Sequence, residues 1–324
     1  MKKIYLTISI IIMTGATIQS QNNFDQYPQT KISNKHVTML LHLPDPEKGS
    51  YRGTRFDWSG VIYSLQYKGH EYFGYWKDTH DPLVHEDLSG PVESYITAGL
   101  GFEEAKAGGK FIRIGVGVLE KPDDKPYQWD HTYKILDHGE WLVNQGKDWI
   151  EFQHILNSDI GYGYVYTKRI ELKSDEPGFT ISHLLKNTGS KHIETDQFNH
   201  NFLIIDGEKS GPNIRLKYPY EISTDADLKG YMEIDKDELY FVKPMVNDNV
   251  WMEFQGYSSD VKDHKITVEN TKTKTGVVIT VDKPIYRMVF WACEITYSPE
   301  NFIMIKVDPG KEDKWVSDYS LFIR

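Results

Sequence analysis

Two residues that are far apart in the sequence have side chains suited to proton transfer, and each lies in an apolar segment. His200 lies between Phe198 and Phe202 in the segment DQFNHNFLIID (196–206), and Glu294 lies in MVFWACEIT (288–296). A histidine and a glutamate whose pKa values are held apart can act as a general acid and a general base. We expect the apolar surroundings to raise the pKa of Glu294, as suits a base. The residue types also allow a structural histidine and an ion-paired glutamate.

Period-two alternation along 192–204 gives His200 a defined face. His200 shares that face with both phenylalanines, and Asn199 lies on the other face. A histidine in such a place must be hydrogen-bonded or lie in a cleft. His183, on the preceding predicted strand, is interpreted as a hydrogen-bonded core histidine.

The elements that must position these residues are short strands. Alternating apolar and polar runs separated by turn signals recur along the chain, and convincing helical periodicity is absent. The segment 179–206 is predicted to be a long hairpin closed by Asn187-Thr188-Gly189. Segment 60–74 is predicted to be a hairpin with Lys68-Gly69 as its turn, and the other predicted strands are 36–43, 110–121, 149–156, 162–172, 276–282, 286–296 and 315–323. This pattern predicts an all-β protein, a large antiparallel β-sandwich, formed as a single domain by residues 21–324.

The N-terminal segment and the charge set limits on location and partners. Residues 1–20 resemble a signal peptide, with Lys2 and Lys3 before an apolar run that is short for a membrane span. An uncleaved anchor is the alternative. We therefore predict a periplasmic or secreted protein that does not contact the membrane after cleavage. The net charge of −10 argues against nucleic acid and anionic membranes as partners.

Two segments resemble the aldose 1-epimerase (galactose mutarotase) family. LLKNTGSKHIETDQFNHNFLIID (184–206) is similar to a family hairpin that leads into Asn-His-Thr-Tyr-Phe, here matched by residues 199–202. WACEITYSPENF (291–302), followed by DPGKEDKWVSDYSLFI (308–323), resembles the family's C-terminal strands, with Glu294 at the position of the catalytic glutamate. The resemblance covers the C-terminal half of the chain.

The resemblance implies a galactose mutarotase-like supersandwich and a mechanism. Glu294 would take the proton of the anomeric hydroxyl of a pyranose, and protonated His200 would give a proton to the ring oxygen. The ring would open and then close as the other anomer. The implied partner is a mono- or oligosaccharide, with no metal and no organic cofactor.

Further sugar contacts follow from the resemblance, although the family's second histidine motif is missing. The nearest polar segment, 80–95, offers His80 or His85 for that role, and His85 is favoured. The early arginine of the family matches Arg52 or Arg55, and Arg55 is favoured. The remaining predicted substrate contacts are Glu93, Asn199 and Trp291.

Two alternatives to a mutarotase-like enzyme stay open at this point. A non-catalytic carbohydrate-binding protein of the same fold would explain the missing histidine motif. A polysaccharide lyase or hydrolase can also be built on this fold, since a fold does not determine its chemistry. The sequence leaves the identity of the sugar and the oligomeric state open.

Overall fold

The computed structural model describes residues 26–77, 79–85, 88–95 and 98–324, and the predicted signal peptide lies outside these ranges. Strands account for 48% of the structure and helical turns for 2%, which confirms an all-β protein. In the described ranges, no helix is long and apolar enough to cross a membrane.

Two large antiparallel sheets dominate the molecule, and their strands are numbered here in chain order. The larger sheet has ten strands, which are in spatial order β15 (Met232–Asp235), β16 (Glu238–Phe241), β14 (Ile214–Lys217), β18 (Lys265–Asn270), β19 (Thr275–Val281), β22 (Glu312–Ile323), β12 (Gly178–Asn187), β11 (Gly163–Leu172), β10 (Trp149–Asn157) and β9 (Glu140–Gln145). The smaller sheet has five strands, which are β17 (Asn249–Glu253), β20 (Arg287–Cys293), β21 (Tyr297–Val307), β13 (Ile193–His200) and β5 (Val92–Ser94).

Two small sheets complete the described strands. One contains β1 (Gln29–Ser33), β2 (Val37–His42), β3 (Val61–Tyr67) and β4 (His70–Glu71), and the other contains β6 (Lys110–Arg113), β7 (Gly117–Glu120) and β8 (Ile135–Asp137). The turn between β3 and β4 is formed by Lys68 and Gly69, both with positive φ, as predicted.

The two large sheets pack face to face across a shared apolar core. Ile150, Ile170 and Ile181 of the ten-stranded sheet lie in the same buried cluster as Met252 and Phe290 of the five-stranded sheet. Burial of this apolar surface is the main favourable contribution to folding. One face of each sheet is thus committed to the core, and the other face of the five-stranded sheet is available for a ligand.

Two predicted elements were wrong. Segment 110–121 is the β6–β7 hairpin, because Gly115, with φ of 77°, turns the chain. Segment 179–206 is an arch between sheets, since β12 pairs with β11 and β22 whereas β13 pairs with β5 and β21. The side-chain amide of Asn187 donates to the carbonyl oxygens of Lys191 and Val307, both at 2.8 Å, and fixes this crossing.

Replacing Gly115 with alanine should destabilise the protein more than the same change at Gly69. Both glycines have positive φ, which costs an L-residue about 1–2 kcal/mol. An added Cβ would meet nothing at Gly69, but at Gly115 it would lie 2.6 Å from Oδ1 of buried Asp57. We expect Gly115→Ala to lower the free energy of unfolding by about 3 kcal/mol or more and Gly69→Ala by about 1, measured by urea denaturation. Equal losses of unfolding free energy in the two variants would contradict this prediction and would show that the Asp57 side chain can move aside without cost.

Candidate functional site

The open face of the five-stranded sheet and the loops around it form a groove of about 1330 Å³. This volume exceeds the roughly 300–1,000 Å³ of ordinary small-molecule pockets. The lining is rich in aromatic and cationic side chains, among them Trp76, Trp129, Trp251, Trp291, Arg55 and Arg113. A groove of this composition fits a polar ligand that also has flat apolar faces.

Strand register places a histidine and a glutamate side by side on the groove floor. β13 and β21 are paired so that Phe198 faces Phe302, and two residues further along, His200 stands beside Glu300. His200 Nε2 lies 3.1 Å from Glu300 Oε1, and the two side chains are 5% and 6% exposed. The carboxyl group that adjoins the predicted histidine is therefore that of Glu300.

Burial sets the protonation of this pair, because it disfavours the charged form of each group. It raises the pKa of Glu300 to about 8, even though Arg55 and Ser298 favour the carboxylate. Burial and the positive charge of Arg55 lower the pKa of His200 well below its ordinary value. At neutral pH the pair thus consists of a protonated carboxyl and a neutral imidazole, which together hold a proton donor and a proton acceptor.

Aromatic rings fix the orientation of the His200 imidazole. The Phe202 ring stacks on it with centroids 3.7 Å apart, and the edges of Trp291 and Phe56 approach at 5.3 and 5.8 Å. Phe202 has φ of 41°, a left-handed conformation that is rare for a bulky residue. Such strain costs of the order of 1–3 kcal/mol and is typical of functional sites.

The prediction that apolar surroundings raise the pKa of Glu294 is wrong. β20 ends at Cys293, so Glu294 lies in a bend at the rim of the groove. Its carboxylate is 2.8 Å from Lys209 Nζ and accepts a hydrogen bond of 3.0 Å from the backbone N–H of Asn247. Both contacts stabilise the charged form, and the pKa of Glu294 is lowered rather than raised. A carboxylate held in this way is a weaker base than the sequence suggested.

The predicted contacts of Asn199 and Glu93 with the groove are also wrong. The two residues face each other across β13 and β5, one position out of phase with His200. Period-two alternation therefore turns them towards the interior. Asn199 Nδ2 donates to the hydroxyl of buried Tyr319 at 3.1 Å.

Glu93 belongs to a buried polar cluster between the two large sheets. It lies 2.7 Å from the Tyr166 hydroxyl, 2.7 Å from His183 Nε2 and 3.5 Å from Lys168 Nζ, and this lysine is 3.0 Å from Asp57. Although burial acts to raise it, the pKa of Glu93 is lowered to about 2 by His183 and Lys168. His183 is thus a hydrogen-bonded core histidine, as predicted.

Three other predicted contacts do line the groove together with His200. The Arg55 guanidinium lies over the rings of Phe56 and Trp129, at 4.7 and 4.3 Å from their centroids. His85 Nδ1 is 2.9 Å from the Tyr51 hydroxyl, and burial together with Arg55 lowers the pKa of His85 to about 4. Trp291 forms part of the wall. Their roles in binding stay predictions.

Glu300 and Arg113 line the groove and were not among the predicted site residues. The segment 297–302 contains Pro299 and was not predicted to be a strand, whereas in the structure β21 begins at Tyr297. Had a strand been predicted through this segment, period-two alternation would have placed Glu300 on the same face as Phe302. Arg113, at the end of β6, carried no signal, because it reaches the groove only through tertiary packing.

No cluster of three or more His, Cys, Asp or Glu side chains that is suited to a metal ion occurs among the described residues. The groove lining includes His200, Glu300 and two arginines, Arg55 and Arg113, a set better suited to proton transfer and to binding an anion than to holding a cation.

Replacing Glu300 with glutamine should change how stability depends on pH. The folded-state pKa of about 8 lies above the ordinary 4.5, so the bound proton stabilises the folded state fully below about pH 4.5, and this stabilisation is lost as pH rises through about 8. Between about pH 5 and 8, wild type should lose up to about 1.4 kcal/mol per pH unit relative to Glu300→Gln, measured by urea unfolding. The opposite slope due to His200 is present in both proteins and cancels. Parallel curves would contradict the elevated pKa.

Comparisons with known proteins bear on the fold. Neither a protein-family model nor a curated protein matches this sequence. Among solved structures, a protein from Synechocystis sp. PCC 6803 is similar with a TM-score of 0.59, 11% identity and coverage of 93% of this chain and 97% of that one. A putative aldose 1-epimerase from Escherichia coli K12 has a TM-score of 0.56 at 11% identity, covering 91% and 100%. A galactose mutarotase-like protein from Lactobacillus casei ATCC 334 has a TM-score of 0.54 at 12% identity, with the same coverage. The predicted fold is confirmed: this chain folds as a galactose mutarotase-like β-sandwich.

Proposed function

We propose that this protein is a carbohydrate-active, mutarotase-like enzyme that interconverts sugar anomers by general acid and base catalysis. The observation that carries the proposal is the pair formed by His200 and Glu300, whose nearest atoms are 3.1 Å apart on the floor of an aromatic groove. Because the sequence predicts a signal peptide, we also propose that the protein acts in the periplasm or outside the cell.

The walls of the groove support a sugar as the ligand. The Trp76 ring stacks on Phe202 beside the reacting pair, with centroids 6.0 Å apart and an interplanar angle of 22°. Trp129 and Trp251 are 49% and 51% exposed although both are large apolar side chains. Exposed aromatic faces next to polar groups suit the C–H faces and hydroxyls of pyranoses.

The spacing of His200 and Glu300 fits the chemistry of an anomeric centre. The hydroxyl oxygen O1 and the ring oxygen O5 of a pyranose are bonded to the same carbon, C1, so the groups that act on them must also be neighbours. Neutral His200 would take the O1 proton while protonated Glu300 gives its proton to O5 and the C1–O5 bond breaks. The aldehyde rotates about C1–C2, and closure returns both protons in the reverse sense. These roles are the reverse of those implied by the resemblance.

The charge of Arg55 acts on both halves of this exchange of protons. Moving a proton to His200 and another away from Glu300 turns a neutral pair into an ion pair, which burial alone would oppose. The positive charge of Arg55 stabilises the Glu300 carboxylate as it forms, and it disfavours the His200 imidazolium, so that the imidazolium readily gives its proton back. Each positioned proton transfer contributes on the order of 10²–10⁴-fold to a rate.

A non-catalytic glycan-binding protein is the second candidate. The groove is larger than one sugar unit needs, and two exposed tryptophans, Trp129 and Trp251, are among the residues that line it. Binding of an oligosaccharide would use that whole length, whether or not the end unit reacts. Cleavage of a polysaccharide, by a lyase or hydrolase reaction, would use it as well.

Substituting Glu300 should abolish anomer exchange more completely than substituting Glu294. We expect wild type to accelerate equilibration of a freshly dissolved α-sugar, followed by NMR, and Glu300→Gln to reduce that rate by about 10²-fold or more. Glu294→Gln should lose much less, because Glu294 is an ion-paired carboxylate at the rim. Glu312→Gln, on β22 outside the groove, is the matched control.

The other outcomes separate the alternatives. A larger loss in Glu294→Gln would return the catalytic role to that residue. Glycan binding without any acceleration on glucose, galactose, rhamnose or uronic acids would favour the binding protein. New reducing ends or unsaturated products from a polysaccharide would favour a hydrolase or a lyase.

A further inference from the structure

The groove continues past the His200–Glu300 pair to β17, the edge strand of the five-stranded sheet. We propose that the substrate is the reducing end of an oligosaccharide, and that the sugar units behind this end bind to the surface formed by Trp251 and Trp291, called here the tryptophan pair. The inference rests on the proposed function in taking a sugar as the ligand. It concerns binding beyond the reacting unit and does not itself require turnover.

Strand register makes the two tryptophans neighbours on the groove side of the sheet. β17 and β20 are paired so that Trp251 lies directly opposite Trp291. Residues in such positions have Cβ atoms about 4.5–5.5 Å apart on one face. Both tryptophans line the groove, whereas Val250 and Met252, which alternate with Trp251 along β17, are 1% and 0% exposed in the core. The tryptophan pair is therefore a continuous aromatic surface that faces the groove.

The tryptophan pair is continuous with the site of the proposed reaction. The Trp291 ring centroid lies 5.3 Å from that of His200 and 6.1 Å from that of Trp76. Two strands, β20 and β21, separate β17 from β13, which carries His200. Neighbouring strands are about 4.8 Å apart, so Trp251 lies roughly 14 Å from His200 across the sheet. A single pyranose ring does not span this distance, whereas a short chain of sugar units does.

Trp251 is held in place although it is exposed. It is 51% exposed, and one exposed aromatic residue alone would need no explanation. This ring, however, adjoins Trp291 and lies 5.7 Å from the guanidinium carbon of Arg287. Arg287 is itself fixed, because its Nε and Nη2 both lie 2.8 Å from Oε2 of Glu253. A ring that is oriented before the ligand arrives loses little conformational entropy on binding.

Polar groups beside Trp251 suit the hydroxyls of neutral sugar units. Asn247 and Asn249 are exposed and line the groove, and their side-chain amides form no hydrogen bond with any described residue. Each amide offers both donors and an acceptor. Asp248, between them, is ion-paired with Lys229 at 2.8 Å. An aromatic face with uncharged amides at its edge favours a neutral glycan over a charged one.

The chemistry of anomer exchange fixes which end of the oligosaccharide lies at the His200–Glu300 pair. Ring opening needs a free hydroxyl on C1, and only the reducing-end unit of an oligosaccharide has one. The other units are joined to that unit through its remaining hydroxyls, so they lie away from the reacting pair. The tryptophan pair, which adjoins His200 through Trp291, is the surface on which these units stack.

The test compares monosaccharides with their trisaccharides by isothermal titration calorimetry. The panel contains glucose with maltotriose, cellotriose and laminaritriose, galactose with galactotriose, mannose with mannotriose, and xylose with xylotriose. Wild type should bind at least one trisaccharide about tenfold or more tightly than its monosaccharide, because one stacked aromatic contact contributes up to about that factor. The preferred member identifies the sugar and its linkage.

Variants assign the preference to the tryptophan pair. Trp251→Ala should remove most of the preference for the trisaccharide while weakening monosaccharide binding much less, and Trp251→Phe, which keeps a ring, should retain part of it. Trp149→Ala is the matched control, because the Arg169 guanidinium carbon lies 4.0 Å from the Trp149 ring centroid, but Trp149 is on β10 and does not line the groove. An unchanged preference in Trp251→Ala would overturn the assignment.

Failure of the inference can be told from failure of the proposed function. Equal wild-type affinity for each monosaccharide and its trisaccharide overturns the inference, even if monosaccharides undergo anomer exchange. A clear preference for a trisaccharide without anomer exchange supports the binding surface and removes the catalytic proposal. Absence of binding by every sugar of the panel overturns both. Since the wild-type comparison needs no substitution, a variant that fails to fold does not affect it.

Discussion

A buried group of charges between the two large sheets fixes the geometry on which the groove depends. Lys168, from β11, contacts Asp57 and Glu93, and Glu93 also contacts His183, from β12. The backbone N–H of Asp57 donates to the carbonyl oxygen of Glu93 at 2.8 Å, so the loop that carries Arg55 is tied to β5. Removing one member of a buried pair commonly costs 3–5 kcal/mol, because its partner is left uncompensated. The ten-stranded sheet thereby positions an arginine on the far side of the five-stranded sheet.

The contrast between Glu294 and Glu300 shows how strongly location decides chemistry. Six positions apart, the same side chain is a stable anion at the rim and a neutral acid on the floor. Lys209 and a backbone N–H stabilise charge at the rim, whereas packing removes water from the floor. A similar argument distinguishes His183, which is hydrogen-bonded on both ring nitrogens, from His200, whose Nδ1 has no partner among the described residues.

Much of the fold was predictable because strand alternation is a local property. The run around His200 predicted both the strand and the face that lies in the groove, and the same alternation already placed Asn199 on the opposite face. Long-range register was not predictable: nothing local says that β13 pairs with β21, and that pairing brings Glu300 to His200. The change of sheet at Asn187 depends on contacts with Val307, which a hairpin interpretation cannot anticipate. Likeness to the family placed the catalytic carboxyl on Glu294, whereas the carboxyl group that the structure places beside His200 is that of Glu300.

The arch between β12 and β13 has a consequence for the order of folding. The next strand in sequence is not the partner of β13; Phe198 pairs with Phe302, and Phe179, on β12, pairs with Tyr319. Pairings that join such distant parts of a chain close large loops and fold slowly. During synthesis, β5 is available to pair with β13 at His200, but Glu300 is absent until β21 has emerged, and the other edge of β13 is exposed to wrong pairing in the meantime. Assembly of the His200–Glu300 pair is therefore a late event in folding, and a chaperone that shields β13 would protect the groove floor as well as the sheet.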